Sequence, residues 1–315
     1  MKFSMIKLLL LIIVIIGSFV FTFKLLLKKF IKNLDREEYI KYIINDSFGS
    51  YKFDNIVSIK YLLKDTFGIE DSKTTSVFKD NKEEFDLETE NGIKPNYIDK
   101  KPILYIYNTH QGECYRKDFF DTFNIKNTVI VASYILQEYL KSYGIVSIVE
   151  ENNVADILHA NGWKYGASYI ASRMLLENSL KENPSLKFFI DIHRDSSKYE
   201  KTMTIIDGKK YARYLFVVGL ENPGYEANLL YATSLNNMIT EKYPTLSRGI
   251  MKKKGPRVNG VYNQDVSKNS ILIEVGGQYN TIDEVNNTLK IIAPFIAQKI
   301  KEENEKEKEL VYKNN

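Results

Sequence analysis

The sequence predicts an α/β domain over residues 99–300, built on a mostly parallel central sheet with helices on both faces. Short apolar runs of about six residues alternate there with longer segments whose apolar residues recur at helical spacing. Glycine, proline and capping residues separate these segments, as they do between strands and helices. Because strands that alternate with helices are usually parallel and buried, the pattern favours a sheet that is covered on both sides.

Five runs have the length and composition of buried strands, since they are rich in aliphatic, β-branched and aromatic residues. The first reads PILYIY and the fourth reads YLFVVG. In chain order, the predicted strands are Pro102–Tyr107, Ile145–Val149, Leu186–Ile192, Tyr214–Gly219 and Ser270–Val275.

Four segments have the periodicity of amphipathic helices. Gly144 follows the first as a predicted C-cap, and Pro184 and Pro244 follow the ends of the second and third. Thr281 and Glu284 have the spacing of a capping box, which predicts the start of the last helix. The first three helices are predicted at Thr128–Tyr143, Trp163–Asn183 and Tyr225–Lys242.

Residues 1–27 have the composition of a membrane anchor. Leu8–Phe23 is an apolar run that Leu25–Leu27 extend beyond Lys24, which gives a helix of about 30 Å, the thickness of a hydrocarbon core. A cleaved signal peptide is the alternative, but the bulky residues Phe19–Phe30 include no small-x-small cleavage site. We therefore predict a single uncleaved transmembrane helix, a signal anchor.

The chain on either side of residues 99–300 divides by composition. Residues 28–98 are polar and weakly patterned, and we predict short helices at Leu34–Phe48 and Ile56–Phe67 and a stalk at Asp71–Asn96. The sequence assigns no function to this region. The charge-rich residues 301–315 are predicted to form a solvated tail.

Composition excludes one class of function and two structural features. The net charge is +4, and lysines in and before the apolar run supply three of the positive charges, so the rest of the chain is nearly neutral. A nearly neutral body does not bind nucleic acid by bulk electrostatics. The single cysteine, Cys114, excludes an internal disulfide and a cysteine-rich zinc site.

Polar side chains gather where three of the predicted strands end, which is where open α/β sheets bind ligands. The first strand runs into Asn108–Glu113, the third into Asp191–Asp195, and the fifth includes Glu274. Two of the three histidines of the chain, His110 and His193, therefore lie at strand ends beside carboxylates.

His110, Glu113 and His193 predict a catalytic zinc site. Imidazole nitrogen and carboxylate oxygen are ordinary ligands of Zn²⁺, and three protein ligands leave one position open for water. Gly112 is expected to let the loop turn sharply enough to aim His110 and Glu113 at one point. Glu274, a carboxylate in the apolar run ILIEVGG, is the predicted general base, with a pKa raised by burial.

Neighbouring residues have predicted supporting roles. Asp191 or Asp195 is expected to orient His193, because an imidazole beside a carboxylate is held in one tautomer. Arg194 is expected to hold a carboxylate of the substrate. The glycine pair Gly276–Gly277 is expected to let substrate approach the backbone.

Four other residues are weaker candidates. His159, in the predicted loop Asp156–Gly162, is a candidate third imidazole ligand, although a surface histidine is the favoured interpretation. Cys114 as the nucleophile of a Cys/His hydrolase would leave the adjacent His-x-x-Glu pair without a role. For Arg248 and Arg257, a solvated or ion-paired arginine is favoured over a substrate-binding one.

Three motifs resemble those of one known family. NTHQGECY at Asn108–Tyr115, DIHRDS at Asp191–Ser196 and YNQDVSKNSILIEVGGQYNT at Tyr262–Thr281 are similar to the stage II sporulation protein P family. The apolar amino-terminal span resembles the membrane anchor of that family. The resemblance implies a zinc-dependent peptidoglycan hydrolase related to the N-acetylmuramoyl-L-alanine amidases. The resemblance implies cleavage of the amide between muramic acid and the stem peptide, with endopeptidase action on cross-links as a further activity.

The resemblance implies roles for individual residues. Asn108 stands where the family commonly has the first histidine of a His-Thr-His motif, so the second histidine position, His110, is the one that matters. In the related amidases, the ligand glutamate begins the following helix, where this chain has Asn127. The two metal histidines of the family, the glutamate after the first of them and the catalytic glutamate match His110, His193, Glu113 and Glu274.

The resemblance also implies a location and partners. It places the enzyme outside the cytoplasm, anchored in the mother-cell membrane during engulfment in sporulation, with the stage II sporulation proteins D and M as partners. Charge bias alone favours the opposite orientation, because Lys28, Lys29 and Lys32 follow the span and Lys2 and Lys7 precede it. We follow the resemblance and expect an extracytoplasmic body.

Two other functions agree with the residues. A zinc carboxypeptidase or another metal amidohydrolase would use the same His-x-x-Glu arrangement. A membrane-tethered module that binds peptidoglycan without cleaving it would need neither the metal nor the general base.

Overall fold

The computed structural model describes residues 101–116 and 127–314. The predicted anchor 1–27 and the region 28–98, with its two predicted helices and its stalk, lie outside the described residues. Within the described ranges, no helix combines the length and the apolar character that crossing a membrane requires.

The described strands form a six-stranded sheet and a separate two-stranded hairpin. The sheet has the strand order β2-β1-β3-β8-β6-β7, and β4 pairs with β5 in the hairpin. The strands are β1 Leu104–Tyr107, β2 Ser147–Val149, β3 Phe188–Asp195, β4 Met203–Ile206, β5 Lys209–Ala212, β6 Tyr214–Gly219, β7 Ser247–Lys253 and β8 Ser270–Gly277.

Neighbouring strands of the sheet are parallel, except that β6 runs antiparallel to β8. The predicted mostly parallel sheet is therefore confirmed. The carboxyl ends of β1, β3 and β8 meet at one edge of the sheet, because these three strands are adjacent and run in the same direction.

Six α-helices are described between and after the strands. A 3₁₀ turn at Tyr165–Ala167 precedes the third helix, which therefore begins later than the predicted Trp163. The helices are α1 Val129–Ser142, α2 Val154–Ala160, α3 Ser168–Glu182, α4 Tyr199–Thr202, α5 Tyr225–Lys242 and α6 Ile282–Asn314.

Helices cover both faces of the sheet, as the sequence predicts. On one face, Leu176 of α3 packs with Tyr105 and Phe189. On the other face, the ring of Tyr231 from α5 lies 6.5 Å from that of Phe188, centroid to centroid. Successive side chains of a strand point to opposite faces, which separates the two layers. Helix α6 packs against both α1 and α5, so these three helices share the second face.

Two predictions near the strand ends need correction. Strand β3 continues through Asp195, so His193 lies inside a strand rather than after it. The predicted loop Asp156–Gly162 is wrong, because α2 occupies most of it. The side chain of Asn153 caps this helix by accepting a hydrogen bond from the N–H of Ala155 at 2.8 Å.

Neither β7 nor the β4–β5 hairpin is among the strands predicted from the sequence. Strand β7 is an edge strand that contains Arg248 and two lysines, and its Gly249 has a positive φ of 89°. Charged residues are typical of sheet edges, so β7 lacks the apolar run of a buried strand. The hairpin turns at Asp207 and Gly208, which have φ of 49° and 77°. An Asp-Gly pair with two positive φ angles is a type I′ turn, a signal that the sequence does carry.

The predicted capping box at the start of α6 is confirmed. The N–H of Glu284 donates to Thr281 Oγ1, and the N–H of Thr281 donates to Glu284 Oε2, both at 3.3 Å. The helix continues through the residues that were predicted to form a solvated tail. Asn304 is buried, and Glu307 forms ion pairs with Lys187 and Lys268, so part of this segment packs against the domain.

The bend at the end of β8 generates a stability prediction. Gly276 has a φ of 67°, and a Cβ added there would lie 2.8 Å from the Cβ of Ala212 and 2.9 Å from Oδ1 of Asn280. Because both the backbone angle and the space exclude a side chain, Gly276→Ala should lower the free energy of unfolding by about 2 to 4 kcal/mol. Urea unfolding of the full-length, metal-free chain measures this loss.

Gly112→Ala is the matched control, because a Cβ at Gly112 meets nothing within 4 Å and Gly112 does not have a positive φ. We expect its effect to stay within about 0.5 kcal/mol. Equal losses in the two variants would contradict the described bend.

Candidate metal centre

A tight turn after β1 brings His110 beside Glu113. The N–H of Glu113 donates to the carbonyl oxygen of His110 at 2.9 Å, which closes a four-residue turn. The expectation that Gly112 is needed for this turn is wrong, because Gly112 does not adopt a positive φ and has open space around it.

Asn108 fixes the start of this loop from the opposite face of the sheet. Its Nδ2 donates to the carbonyl of Ile192 at 2.7 Å, and its Oδ1 accepts a hydrogen bond from Ser133 of α1 at 2.9 Å. The buried Asn108 therefore ties β1 to β3 and α1, whereas His110 lies on the face that α3 covers.

Strands β3 and β8 place two carboxylates, Asp191 and Glu274, and the imidazole of His193 on one face of the sheet. Asp191 and His193 are two residues apart in β3 and so point to the same side of the sheet. Glu274 of β8 is the register partner of His193, and register partners in parallel strands also share a face. Because β8 is a central strand, Glu274 is not the exposed acid of an edge strand.

His110, Glu113 and His193 form a cluster that can hold a metal ion. Their ligand atoms all lie within 4.8 Å of one another. Nδ1 of His110 lies 3.5 Å from Oε1 of Glu113, and Nδ1 of His193 lies 3.4 Å from Oε2. Two ligands of a tetrahedral ion, each about 2.05 Å from it, are about 3.3 Å apart. The spacing and the donor types therefore fit one divalent ion.

Hydrogen bonds hold Glu113 in its ionised form. Burial alone would raise the pKa of this carboxyl, but hydrogen bonds from His110 and His193 outweigh it and lower the pKa well below its ordinary value. The backbone N–H of Arg194 also donates to Oε2 of Glu113 at 3.0 Å. An ionised carboxylate is the form that binds a metal.

Asp191 lies against the second nitrogen of His193. Its Oδ1 is 3.0 Å from Nε2, and both residues are almost completely buried. The contact is close enough for an ion pair, but its angle falls outside that of a hydrogen bond. Burial disfavours the charged imidazole, yet the carboxylates of Asp191 and Glu113 raise the pKa of His193 well above its ordinary value. An acid that faces Nε2 leaves Nδ1 for the metal.

Glu274 has the environment of a proton-transfer residue. The pKa of its carboxyl is raised to about 7, and burial is the main cause. Repulsion from Glu113 and Asp195 raises this pKa further. Its Oε2 is buried and has no hydrogen-bond partner among the described residues. A carboxyl with such a pKa can exchange protons at neutral pH.

Two tyrosines that the sequence analysis did not select border the cluster. The ring of Tyr165 stacks on His110 at 4.9 Å between centroids and is 63% exposed. Tyr169 contacts His110 edge to face at 5.5 Å and lies parallel to His193 at 6.5 Å. Both belong to the predicted second helix, but their contact with the histidines depends on how that segment packs.

Asp195 does not orient His193, which corrects one of the two alternatives in the sequence analysis. Its carboxylate pairs with the guanidinium of Arg248 from β7 and caps the following turn at Ser197. Arg248 is therefore ion-paired, as favoured from the sequence. A bulge in the pairing of β3 with β8 lies between His193 and Asp195 and changes the direction of the later side chain.

The remaining candidates lie outside the described ligand cluster. Nε of Arg194 donates to the carbonyl of Cys114 at 3.1 Å, which holds its side chain beside the His110 turn. Cys114 itself is exposed. His159 is exposed on α2 and does not belong to the described ligand cluster. Arg257 is exposed in the loop after β7.

The expected substrate approach at Gly276–Gly277 is wrong. Atoms of the protein already fill the space that the missing side chains leave. A Cβ at Gly277 would lie 3.0 Å from the carbonyl oxygen of Asp195 and 3.0 Å from Cγ2 of Thr202. Gly277 therefore serves the close packing of β8 against the segment after β3, and Gly276 serves the packing of β8 against Ala212 and Asn280.

Comparison with known proteins assigns the family. The family model described as Stage II sporulation protein P (SpoIIP) matches residues 28–297. The chain belongs to the stage II sporulation protein P family. The resemblance drawn from the three sequence motifs is therefore confirmed, and every residue of the candidate metal centre lies within the matched range.

A curated family member gives the extent of the sequence similarity. The stage II sporulation protein P of Bacillus subtilis (strain 168) is 34% identical to this chain over 204 residues, which is 63% of this chain and 51% of that protein. The chain thus spans about half the length of this curated relative.

Two solved structures match this chain with TM-scores below 0.5. The CwlD amidase from Clostridioides difficile, solved in complex with the GerS lipoprotein, has a TM-score of 0.42 and 13% identity, over 64% of this chain and 97% of that one. A metallo-carboxypeptidase from Burkholderia cenocepacia has a TM-score of 0.38 and 11% identity, over 64% of this chain and 57% of that one.

The ligand cluster generates a metal-binding prediction. We expect the full-length wild-type chain to retain one Zn²⁺ after dialysis, and His110→Ala to lower the zinc affinity by more than about 100-fold, because one of three ligands is lost. Elemental analysis and competition with a chromophoric chelator measure both. His159→Ala is the control, since it removes an exposed imidazole outside the cluster. Equal zinc binding by the two variants would remove His110 from the ligand set.

Proposed function

We propose that this family member is a zinc-dependent peptidoglycan hydrolase, an N-acetylmuramoyl-L-alanine amidase that acts in sporulation. The observation that carries the proposal is the position of Glu274. A buried carboxyl with a pKa of about 7 is the register partner of His193, next to a His–Glu–His ligand set. A ligand set with an adjacent base is the arrangement of a catalytic metal site rather than a structural one.

The donor set fits Zn²⁺ in both chemistry and spacing. His110, Glu113 and His193 supply two imidazole nitrogens and a carboxylate. These are three protein ligands, which leaves a fourth position for water or substrate. A bound Zn²⁺ supplies Lewis-acid chemistry, since it polarises an amide carbonyl and makes water more acidic.

Glu274 provides the proton transfers that amide hydrolysis needs. In its ionised form the carboxylate accepts a proton from the attacking water, and in its protonated form it delivers that proton to the leaving amine. A divalent cation nearby favours the ionised form, which is the form that begins the reaction.

Side chains around the cluster position the reactants. Asp191 keeps Nδ1 of His193 directed at the ligand set, since it faces the other ring nitrogen. Arg194, held beside the His110 turn, provides a guanidinium for a carboxylate of the stem peptide. The exposed ring of Tyr165 forms a wall of the site next to His110.

The cellular setting follows from the family and from the sequence. The name of the curated relative supports a role in sporulation. We propose that residues 1–27 anchor the chain in the mother-cell membrane, with the catalytic domain outside the cytoplasm. Engulfment is the proposed process, and the stage II sporulation proteins D and M are the proposed partners. Endopeptidase action on cross-links is a further proposed activity of the same site.

Glu274→Gln tests the proposed base. The amide side chain has nearly the same shape but accepts no proton, so we expect muropeptide release to fall by about 10²- to 10⁴-fold while zinc content stays unchanged. Zinc analysis and a muropeptide release assay on the full-length chain measure the two effects. Glu226→Gln, on the exposed surface of α5, should leave both at the wild-type level. Near-normal turnover by Glu274→Gln would remove this residue from the mechanism.

Mass spectrometry of digested sacculi tests the bond that is cleaved. An amidase releases intact stem peptides from the glycan, so we expect free stem peptides and glycan strands without peptide. Shortened stem peptides that remain on the glycan would instead indicate a carboxypeptidase. Wall binding without release, unaffected by His110→Ala and His193→Ala and without zinc, would indicate a binding module.

A further inference from the structure

We propose that Thr109 is a positioning residue of the metal centre, and that Ser172 and Asn263 fix the direction of its hydroxyl. Thr109 lies between Asn108 and His110 and has no assigned role in the zinc chemistry. The proposal rests on the proposed function, because it concerns how the chain presents His193 to a metal ion.

Thr109 holds both oxygens of the Asp191 carboxylate. Its backbone N–H donates to Oδ1 at 2.9 Å, and its hydroxyl donates to Oδ2 at 2.7 Å. The same Oδ1 lies 3.0 Å from Nε2 of His193. Two hydrogen bonds from one residue fix the plane of a carboxylate, so Thr109 sets the position from which Asp191 faces the imidazole.

The donors and acceptors available to each group give this network a direction at Thr109. An ionised carboxylate accepts hydrogen bonds and donates none, so the single hydroxyl hydrogen of Thr109 goes to Asp191. In the contact of 2.9 Å between the hydroxyls of Thr109 and Ser172, Ser172 is then the donor, and the carbonyl of Tyr169, 3.3 Å from the same Ser172 hydroxyl, is its longer, second acceptor. Ser172 Oγ in turn accepts from Nδ2 of Asn263 at 3.0 Å. The chain of donors therefore runs from Asn263 through Ser172 and Thr109 to Asp191.

Burial makes the direction of this chain consequential. Thr109 and Asp191 are each 1% exposed, Ser172 is 2% exposed and Asn263 is 7% exposed. In a buried network, each lost donor leaves its acceptor without water to replace it. A missing hydroxyl at residue 109 would leave Oδ2 of Asp191 unpaired, and the carboxylate could turn away from His193.

The network also joins separate parts of the chain at the metal centre. Thr109 follows β1, Asp191 belongs to β3, Ser172 belongs to α3, and Asn263 precedes the 3₁₀ turn Gln264–Val266. Asn263 also donates to the carbonyl of Tyr169 at 3.2 Å. The same chain of hydrogen bonds that positions Asp191 thus holds the helix whose Tyr169 ring packs against both histidines.

Thr109→Val tests the proposal, because valine has nearly the same shape and lacks the hydroxyl. We expect the zinc affinity of the full-length chain to fall by about 10- to 100-fold, the effect of losing a group that orients a metal ligand. Thr109→Ser restores the hydroxyl and should retain most of the wild-type affinity. Competition with a chromophoric chelator measures the affinities, and urea unfolding of the zinc-free proteins measures stability.

Thr288→Val is the matched control. Thr288 is fully buried, and its hydroxyl donates to the carbonyl of Ala212 at 2.6 Å, away from the ligand cluster. We expect both valine variants to lose stability in the zinc-free state, because each deletes a buried hydrogen bond. The zinc affinity should fall only for Thr109→Val.

Equal zinc affinities of Thr109→Val and Thr288→Val would overturn the proposal. If Thr109→Val does not fold, Ser172→Ala decides: its zinc affinity must fall below that of Ser247→Ala, which deletes a buried serine hydroxyl bonded to Asn236. Failure of the wild-type chain to bind zinc would overturn the proposed function together with this inference, whereas normal wild-type binding with no effect of Thr109→Val would overturn this inference alone.

Discussion

The metal centre depends on a carboxylate that joins two strands of the sheet. Glu113 comes from the turn after β1, and its two oxygens face Nδ1 of His110 and Nδ1 of His193. One of these oxygens also accepts the backbone N–H of Arg194, so Glu113 is fixed to the backbone of β3 as well as to its side chains. Apart from this contact, His110 belongs to a turn and His193 to strand β3, and their rings lie 5.0 Å apart, centroid to centroid. The carboxylate makes them one site, in which a partly buried negative charge is stabilised by donors that a metal ion can replace.

Buried elements of this fold could be predicted from the sequence because burial leaves an apolar pattern. Strand β6 and helix α5 have the bounds that the sequence predicts, since Gly219 ends a continuous apolar run and Pro244 follows a segment with helical periodicity. Strand β7 could not be found in this way, because an edge strand faces solvent and carries the charges of Arg248, Lys252 and Lys253. The short helix α2 has no recognisable pattern in the sequence, because Val154 and Leu158 are its buried residues and two are too few to show a periodicity.

The residues of the candidate site also fall into two groups: those that a buried strand makes recognisable in the sequence, and those that only the packing reveals. Residues at the ends of buried strands, such as His110 and His193, could be selected because parallel strands bring their carboxyl ends together. The partner of Asp195 could not, because Arg248 lies in the strand that the sequence does not reveal. Thr109 could not be selected for a different reason. Its importance lies in the order of donors and acceptors in a buried network, which depends on the packing of α3 and not on residue type.

The strand order has a consequence for how the molecule is made. Strand β8 is the last strand of the sheet in sequence but lies between β3 and β6. A ribosome therefore completes β1, β3 and all three ligand residues before it synthesises Glu274. The two halves of the sheet cannot join until β8 emerges, and this pairing of distant segments is intrinsically slow. The metal ligands can come together while the chain is still being synthesised. Glu274, the proposed base, joins them only when β8 completes the sheet.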